Sequence, residues 1–275
     1  MTTTAEKRAA FRALHEQGCF VLPNPWDRGT ARYLEHRGFA ALATTSSGAA
    51  WSRGRPDGSA TRDEALDHLA DIVGATDLPV NADFEDGYGA TADEVAASVA
   101  LAVTTGVAGL SIEDGAGGTS YELGVAVERL SAAREAIDAS GHDVLLVGRA
   151  DGFFNGRPDL DDILTRLRAF SRAGADCLYA PGITAPDQVA AVVAAVAPRP
   201  VNLLIGGQSE LTLARVADLG VRRVSVGGAL ARTAWGGVRT AVDRLAEGYF
   251  DGFAGAARGD ELNALFGSAE ARGRR

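Results

Sequence analysis

Short apolar runs alternate along the chain with longer stretches whose apolar residues recur every three or four positions. The runs CFVLPN (19–24), ALATTS (41–46), PVNADFE (79–85) and GLSIED (109–114) predict four strands. DVLLVGR (143–149), CLYAPG (177–182), PVNLLIG (200–206) and RRVSVGG (222–228) predict four more. They are nearly continuous rather than alternating, the pattern of parallel strands covered outside by helices. Their starts lie roughly 20 to 40 residues apart, the size of one β/α unit.

The stretches between them carry helix signals. Thr61 precedes an acidic first turn in TRDEALDHLADIV, and Thr91 does the same in TADEVAASVALAV. Asp159 caps DLDDILTRLRAFSRAG, where Leu160, Ile163, Leu164, Leu167 and Phe170 make one apolar face. Gly38, Gly106, Gly174 and Gly220 stand where C-terminal caps belong, just before the next strand. Eight such units behind an opening helix, with no antiparallel hairpin left over, predict an α/β fold of the (β/α)8 barrel type rather than an open doubly wound sheet. The expectation is one domain over 1–275, with an N-terminal helix and a C-terminal tail (250–275) that is helical in parts, then basic and frayed.

Composition narrows the function classes. The chain has 275 residues, 46% hydrophobic and 23% charged, with a formal net charge of −9 from 27 basic and 36 acidic residues. That balance argues against non-specific binding to nucleic acid or to an anionic membrane. Two cysteines, Cys19 and Cys177, exclude a disulfide framework and a Cys-type zinc site. No apolar run is long enough to span a membrane. The N-terminus reads as a helix rather than a signal peptide, so a reduced, cytoplasmic protein is expected.

In a (β/α)8 barrel the active site lies at the C-terminal ends of the strands. Reactive side chains collect there. The third strand ends in Asp83, Glu85 and Asp86, the fourth in Glu113 and Asp114, the fifth in Arg149 and Asp151. The second ends in Ser46, Ser47 and Gly48, with Asp57 in the loop beyond; the first ends in Asn24, Pro25, Trp26 and Asp27. Converging carboxylates raise each other's pKa, and a hard divalent cation relieves the conflict. Mg2+ takes oxygen ligands and keeps several waters, so Asp83, Glu85 and Glu113 suffice as a metal set. Arg149 fits as a fork for a substrate carboxylate. Asp27 and Asp86 read as structural; Asp114 and Asp151 read equally as caps or site residues.

Two glycine patterns are set aside. Gly87-Tyr88-Gly89-Ala90-Thr91-Ala92 resembles a dinucleotide fingerprint, but the acids before it would repel a pyrophosphate and the later acidic residue is missing. Gly206-Gly207 and Gly227-Gly228 stand where barrels bind phosphate, yet tight packing explains them as well. His15, His36, His68 and His142 fall in predicted helices or turns away from the strand ends, so no histidine base is expected.

These residues together resemble the isocitrate lyase / phosphoenolpyruvate mutase family. The resemblance rests on NPWDRGTARYLEHRGFAAL (24–42), the Ser47-Gly48 pair, GRPD (54–57), NADFEDGYG (81–89), GVAGLSIED (106–114), GRAD (148–151), AGAD (173–176) and LGVRRVSVGGAL (219–230). It implies a barrel whose last helix is swapped between partners in a homo-oligomer, a dimer or tetramer. It implies Mg2+ and a small carboxylate substrate, with C–C or P–C bonds made or broken beside the carboxylate. By the same resemblance Asp83 matches the direct metal ligand, and Glu85, Glu113 and Asp57 the acids around it. Ser47 and Gly48 match the substrate carboxylate pocket, and Arg149 the substrate arginine. Trp26, Ser46 and Asp57 join these as expected substrate-binding residues, and Arg149, Glu113 and Tyr121 are the expected catalytic ones.

The departures shape the expected activity. Where the lyases carry a Lys-Lys-Cys-Gly-His lid, this chain has GAGGTSYELG (115–124), without Lys, Cys or His. The Lys and Asn of the mutase lid are also missing, and the mutase histidine is replaced within APGI (180–183). The expectation is a Mg2+-dependent lyase cleaving a C–C bond next to a 2-oxo or 2-hydroxy carboxylate through an enolate, with Tyr121 or Ser120 as a lid acid. The alternatives are phosphonopyruvate or phosphoenolpyruvate chemistry, or a catalytically silent barrel that binds a 2-oxo acid.

Overall fold

A computed structural model describes residues 2–273. Eight parallel strands form one sheet: β1 (Phe20–Leu22), β2 (Leu42–Ala43), β3 (Val80–Asp83), β4 (Gly109–Glu113), β7 (Leu145–Arg149), β8 (Cys177–Tyr179), β9 (Val201–Leu204) and β10 (Arg223–Ser225). The order β1-β10-β9-β8-β7-β4-β3-β2 wraps the sheet into a barrel. β1 and β2 do not pair as strands. The Ala43 backbone amide, donating to the Pro23 carbonyl at 3.1 Å, and the Asn24 side-chain Nδ2, donating to the Thr44 carbonyl at 2.8 Å, bridge that seam.

All eight expected strands are present, each shorter than its apolar run. One expectation fails. A small antiparallel pair, β5 (Gly115–Ala116) with β6 (Thr119–Ser120), stands after β4 in the lid segment. Gly117 and Gly118, both at positive φ, make its turn.

Helices follow each barrel strand: α2 (Arg28–His36), α3 (Ser46–Ser52) with α4 (Arg62–Val73), α5 (Ala92–Thr104), α6 (Leu123–Ala139), α7 (Leu160–Arg172), α8 (Pro186–Val196), α9 (Leu213–Asp218) and α10 (Ala229–Ala246). The expected caps form. Thr61 and Thr91 each accept from the backbone three residues on, with Glu64 and Glu94 closing capping boxes, and Asp159 accepts from Asp162. Ile163, Leu167 and Phe170 of α7 are buried against the sheet.

The strands are two-faced rather than uniformly apolar. Outward residues such as Ala82, Leu110, Leu146, Leu178 and Val224 pack with the helices in the main apolar cluster. Inward residues of the same strands, among them Asn81, Asp83, Ser111, Arg149 and Ser225, line a central cavity. The lower end is plugged by α1 (Thr4–Leu14), whose Phe11 packs with Leu22, Ala43 and Leu145. Gly109 lets that plug in: a Cβ there would stand 2.8 Å from the Phe11 ring.

The tail carries α11 (Gly259–Gly273), which lies against α2 of the same chain, with Phe266 beside Gly29. Residues 274–275 of the expected basic end lie outside the described residues. Trp235, Val238, Val242 and Leu245 of α10 form an exposed apolar stripe, continued by Tyr249, Phe250 and Phe253. Among the described residues no helix is long and apolar enough to cross a membrane.

Candidate active site

Side chains at the strand ends surround a cavity of about 790 Å³. Asp83, the last residue of β3, accepts from the Ser46 amide (3.0 Å) and hydroxyl (2.9 Å) through Oδ2. Its Oδ1 accepts from Arg149 Nη1 at 3.3 Å, and its own amide donates to Thr44 Oγ1 at 2.9 Å. Thus β2 and the start of α3 fix the acid from one side and β7 from the other. Arg149 Nη1 also lies 2.7 Å from Glu113 Oε1, and Nε donates to Asp151 Oδ1 at 2.7 Å. The guanidinium rests 5.2 Å from the Tyr179 ring centre. One cation is therefore shared by three carboxylates.

Glu85 is the strained member. Its backbone φ is +43°, sparsely populated for a residue with a side chain, and its Oε1 is buried without a hydrogen-bond partner. Burial, then the nearby Asp83, push its pKa up to about 7. Burial raises Glu113 well above the carboxylate range; Arg149 opposes this, while Asp151, Asp83 and Glu85 add to it. Asp57 is raised by burial and by Asp83. Burial works against the charge on Arg149, but Asp151, Glu113 and Asp83 hold it firmly protonated.

Seven of the sequence-predicted residues line the cavity: Ser46, Ser47, Asp57, Asp83, Glu85, Glu113 and Arg149. Three do not. Trp26 packs behind the start of α3, where a Cβ on Gly48 would stand 3.0 Å from the Trp26 Cβ, so both residues support the wall rather than face the cavity. The Tyr121 hydroxyl donates to Asp86 Oδ2 at 2.7 Å, and its ring lies 4.6 Å from the Arg129 guanidinium. Burial and the Asp86 bond raise its pKa to about 12. Tyr121 is thereby corrected from a lid acid to a packing and cross-linking residue. The lid residues facing the cavity are Gly115–Gly118, joined by Phe154 and Asn155 from the loop after β7.

Asp27, Asp86 and Asp114 hold structural contacts, and Asp86 also lines the cavity. Asp27 caps α2, and Asp86 pairs with the buried Arg129 at 2.8 Å. Asp114 is fully buried, pairs with Arg166 at 3.2 Å and accepts from the Asp151 amide at 2.8 Å. Asp151 accepts from Arg149 and lines the cavity. At the glycine end of β10 the amides of Val226 and Gly227 are already spent on Asn24 Oδ1 (2.9 Å each). At Gly89 a Cβ would collide with the Val95 amide at 2.5 Å, so that glycine serves close packing.

Among the described residues no three His, Cys, Asp or Glu side chains converge to hold a metal ion between them. Arg149 explains why: it stands between Asp83 and Glu113. The donor set still suits a hard cation held partly through its waters, since it is all carboxylate oxygen and leaves Glu85 Oε1 unpartnered.

Sequence reasoning missed the inner barrel residues Asn81, Ser111, Tyr179, Asn202, Arg223 and Ser225, which also line the cavity. Their signal was the two-residue period inside runs that read as apolar.

Comparison with known proteins agrees with the barrel fold. The family model described as phosphoenolpyruvate phosphomutase matches residues 11–246. A solved structure from Burkholderia cenocepacia J2315, provisionally named a lyase/mutase, is 47% identical with a TM-score of 0.92, covering 96% of this chain and 97% of that one. An oxaloacetate acetylhydrolase, solved with the product oxalate, is 28% identical with a TM-score of 0.86, covering 98% of this chain and 96% of that one. An oxaloacetate decarboxylase of Bradyrhizobium sp. is 30% identical over 236 residues, 82% of this chain and 79% of that protein. The chain belongs to the isocitrate lyase / phosphoenolpyruvate mutase family.

Proposed function

We propose that the protein is a Mg2+-dependent lyase that cleaves a C–C bond next to a 2-oxo or 2-hydroxy carboxylate. The observation that carries this reading is the ring of Asp57, Asp83, Glu85 and Glu113 around Arg149 at the mouth of one cavity. Asp83, Glu85 and Glu113 would hold the cation. When bound, it supplies Lewis-acid charge beside the 2-oxo group. Arg149 binds the substrate carboxylate, Ser47 faces the cavity from the start of α3, and Ser46 holds Asp83 in place. For a 2-oxo diacid the bond to the far carboxylate breaks, CO2 leaves, and the electron pair stays on the carbon next to the oxo group as an enolate. For a 2-hydroxy diacid the hydroxyl gives up its proton and becomes the carbonyl of one product, and the pair stays on the carbon beside the other product's carboxylate. A proton then returns to that carbon. The lid residues facing the cavity carry no titratable side chain, which suits delivery of that proton by water. The decarboxylase and acetylhydrolase relatives, both named for oxaloacetate, favour it as the first substrate to test.

The matched family model favours a second reading, phosphonopyruvate or phosphoenolpyruvate chemistry. Against it, neither 115–120 nor 180–183 carries a charged residue for a phosphoryl group. Loss of oxaloacetate, 2-alkylmalates, methylisocitrate or phosphonopyruvate, with 2-oxo acid, oxalate and phosphoenolpyruvate each read as products, tests both, with Mg2+ or EDTA and above the enzyme-free blank. The expected result is Mg2+-dependent turnover of a carbon acid, lost by a factor of about 10³ in Asp83→Ala. Turnover of phosphonopyruvate alone would transfer the assignment to the second reading. No turnover, with no Mg2+ effect on Tm, would leave a silent binding barrel.

We also propose a homo-oligomer in which a second copy covers the α10 stripe, since a soluble monomer rarely leaves so continuous an apolar face open. Light scattering should give a multiple of 28.4 kDa, and a monomer would overturn this.

A further inference from the structure

Below the acids, the cavity ends on a second guanidinium. Arg223 opens β10 and is 2% exposed, yet it lines the same cavity. Its Nε donates to Asn202 Oδ1 at 2.9 Å and its Nη1 to Asn81 Oδ1 at 3.2 Å. Nη1 also lies 3.4 Å from His15 Nε2. The other ring nitrogen of His15 is 2.7 Å from the Phe11 carbonyl, which assigns the proton there and leaves Nε2 as an acceptor. Every partner of Arg223 is therefore neutral.

Among the described residues no carboxylate pairs with Arg223. The cavity's other arginine, Arg149, has three acids. Of the buried arginines outside the cavity Arg129 has Asp86 and Arg166 has Asp114, while Arg8, packed on the Val103 and Val107 carbonyls, does not face the cavity. Neutral acceptors satisfy N–H groups but do not cancel a charge, and an arginine cannot escape by losing its proton. Leaving a buried cation uncompensated is costly, so the site favours an anion. The surroundings are suited to one. Ser225, two residues along β10 from Arg223, also lines the cavity; its Oγ accepts from the Asn202 side-chain amide at 2.9 Å, which turns the hydroxyl's proton away from the asparagine, towards Tyr179. Arg149 cannot play this part alone, because Asp83, Glu113 and Asp151 already share its charge.

We propose that Arg223, with Ser225, forms an anion subsite on the barrel floor that takes one carboxylate of a ligand whose other end lies among the strand-end acids. The inference rests on the reading of this cavity as the active site. It makes the floor select for a two-ended ligand, since a single carboxylate cannot occupy both places.

The test is calorimetric binding of oxalate, malonate and succinate against acetate, in Mg2+, to the wild type and to Asn202→Asp. That substitution is isosteric and puts a carboxylate on Arg223, so it neutralises the floor without emptying it. At least one diacid should bind the wild type about tenfold or more tighter than acetate, from one charge-assisted contact. Asn202→Asp should lose that preference and keep or raise its Tm. Arg223→Met should lose the same preference. No diacid preference in the wild type, or one retained in both variants, overturns the subsite. Turnover of a 2-oxo acid without an Arg223-dependent preference would sink the floor site and leave the lyase reading standing. An Arg223-dependent preference without turnover would keep the floor site and sink the lyase.

Discussion

At the mouth of the barrel Arg149 lies against Asp83, Glu113 and Asp151; at the floor Arg223 lies among Asn81, Asn202 and His15. Both are buried guanidiniums inside the same ring of strands, and their surroundings have opposite sign. The mouth has more carboxylates than its one cation can balance, with Glu85 and Asp57 added to the three. Among the described residues the floor has a cation and no carboxylate. A cavity polarised in this way draws a cation to one end and an anion to the other. The two ends also respond to pH in opposite directions. Glu85, with its pKa raised to about 7, weakens the fold as pH rises through that value. His15, with its pKa lowered to about 3, weakens it as pH falls.

The largest effect should come from removing the cation at the mouth. Arg149→Met leaves Asp83, Glu113 and Asp151 buried without their shared partner, which should cost about 3–5 kcal/mol in EDTA. Mg2+ should recover part of that loss, because a bound divalent cation takes over the neutralising role. Urea unfolding with and without Mg2+ measures both. An Arg149→Met protein as stable as the wild type in EDTA would show that the acids do not depend on the arginine, and the mouth would no longer contrast with the floor.

The mouth was legible in the sequence and the floor was not. Asp83, Glu85, Glu113 and Arg149 stand at the ends of apolar runs, where a barrel topology brings separate strands together. Arg223 stands inside such a run, next to Arg222, and the pair reads as a charged edge. Only the alternation of the strand separates them: Arg222 reaches outward to the Gly18 carbonyl, and Arg223 turns inward. The same alternation hides Asn81, Ser111 and Asn202 among apolar neighbours. Arg129 and Arg166 were unreadable for another reason. On a helical pattern they look like solvent-face residues, yet each is buried against an acid 43 or 52 positions away. Tyr121 was misjudged on the same ground, since nothing local shows that Asp86 accepts its hydroxyl. The lid hairpin escaped notice because its strands are two residues each and mostly glycine and alanine or small polar residues.

A smaller effect isolates the floor. Burial, and then the charge of Arg223, lower the pKa of His15 to about 3, against an unfolded value near 6.5. Between those values the unfolded chain binds a proton that the folded chain refuses. The stability His15 contributes is thus complete above pH 6.5 and declines as pH falls towards 3. His15→Gln can still accept from Arg223 but cannot titrate. Below pH 6.5 the wild type should therefore lose stability faster than the variant, by up to about 1.4 kcal/mol per pH unit. Unfolding in EDTA at several pH values from 6.5 to 4 gives this difference directly, and the carboxylates at the mouth cancel from it because both proteins contain them. Parallel stability curves would mean that His15 accepts a proton beside Arg223 without penalty. A floor that tolerates a second positive charge would not be short of an anion, so that result would count against the subsite as well.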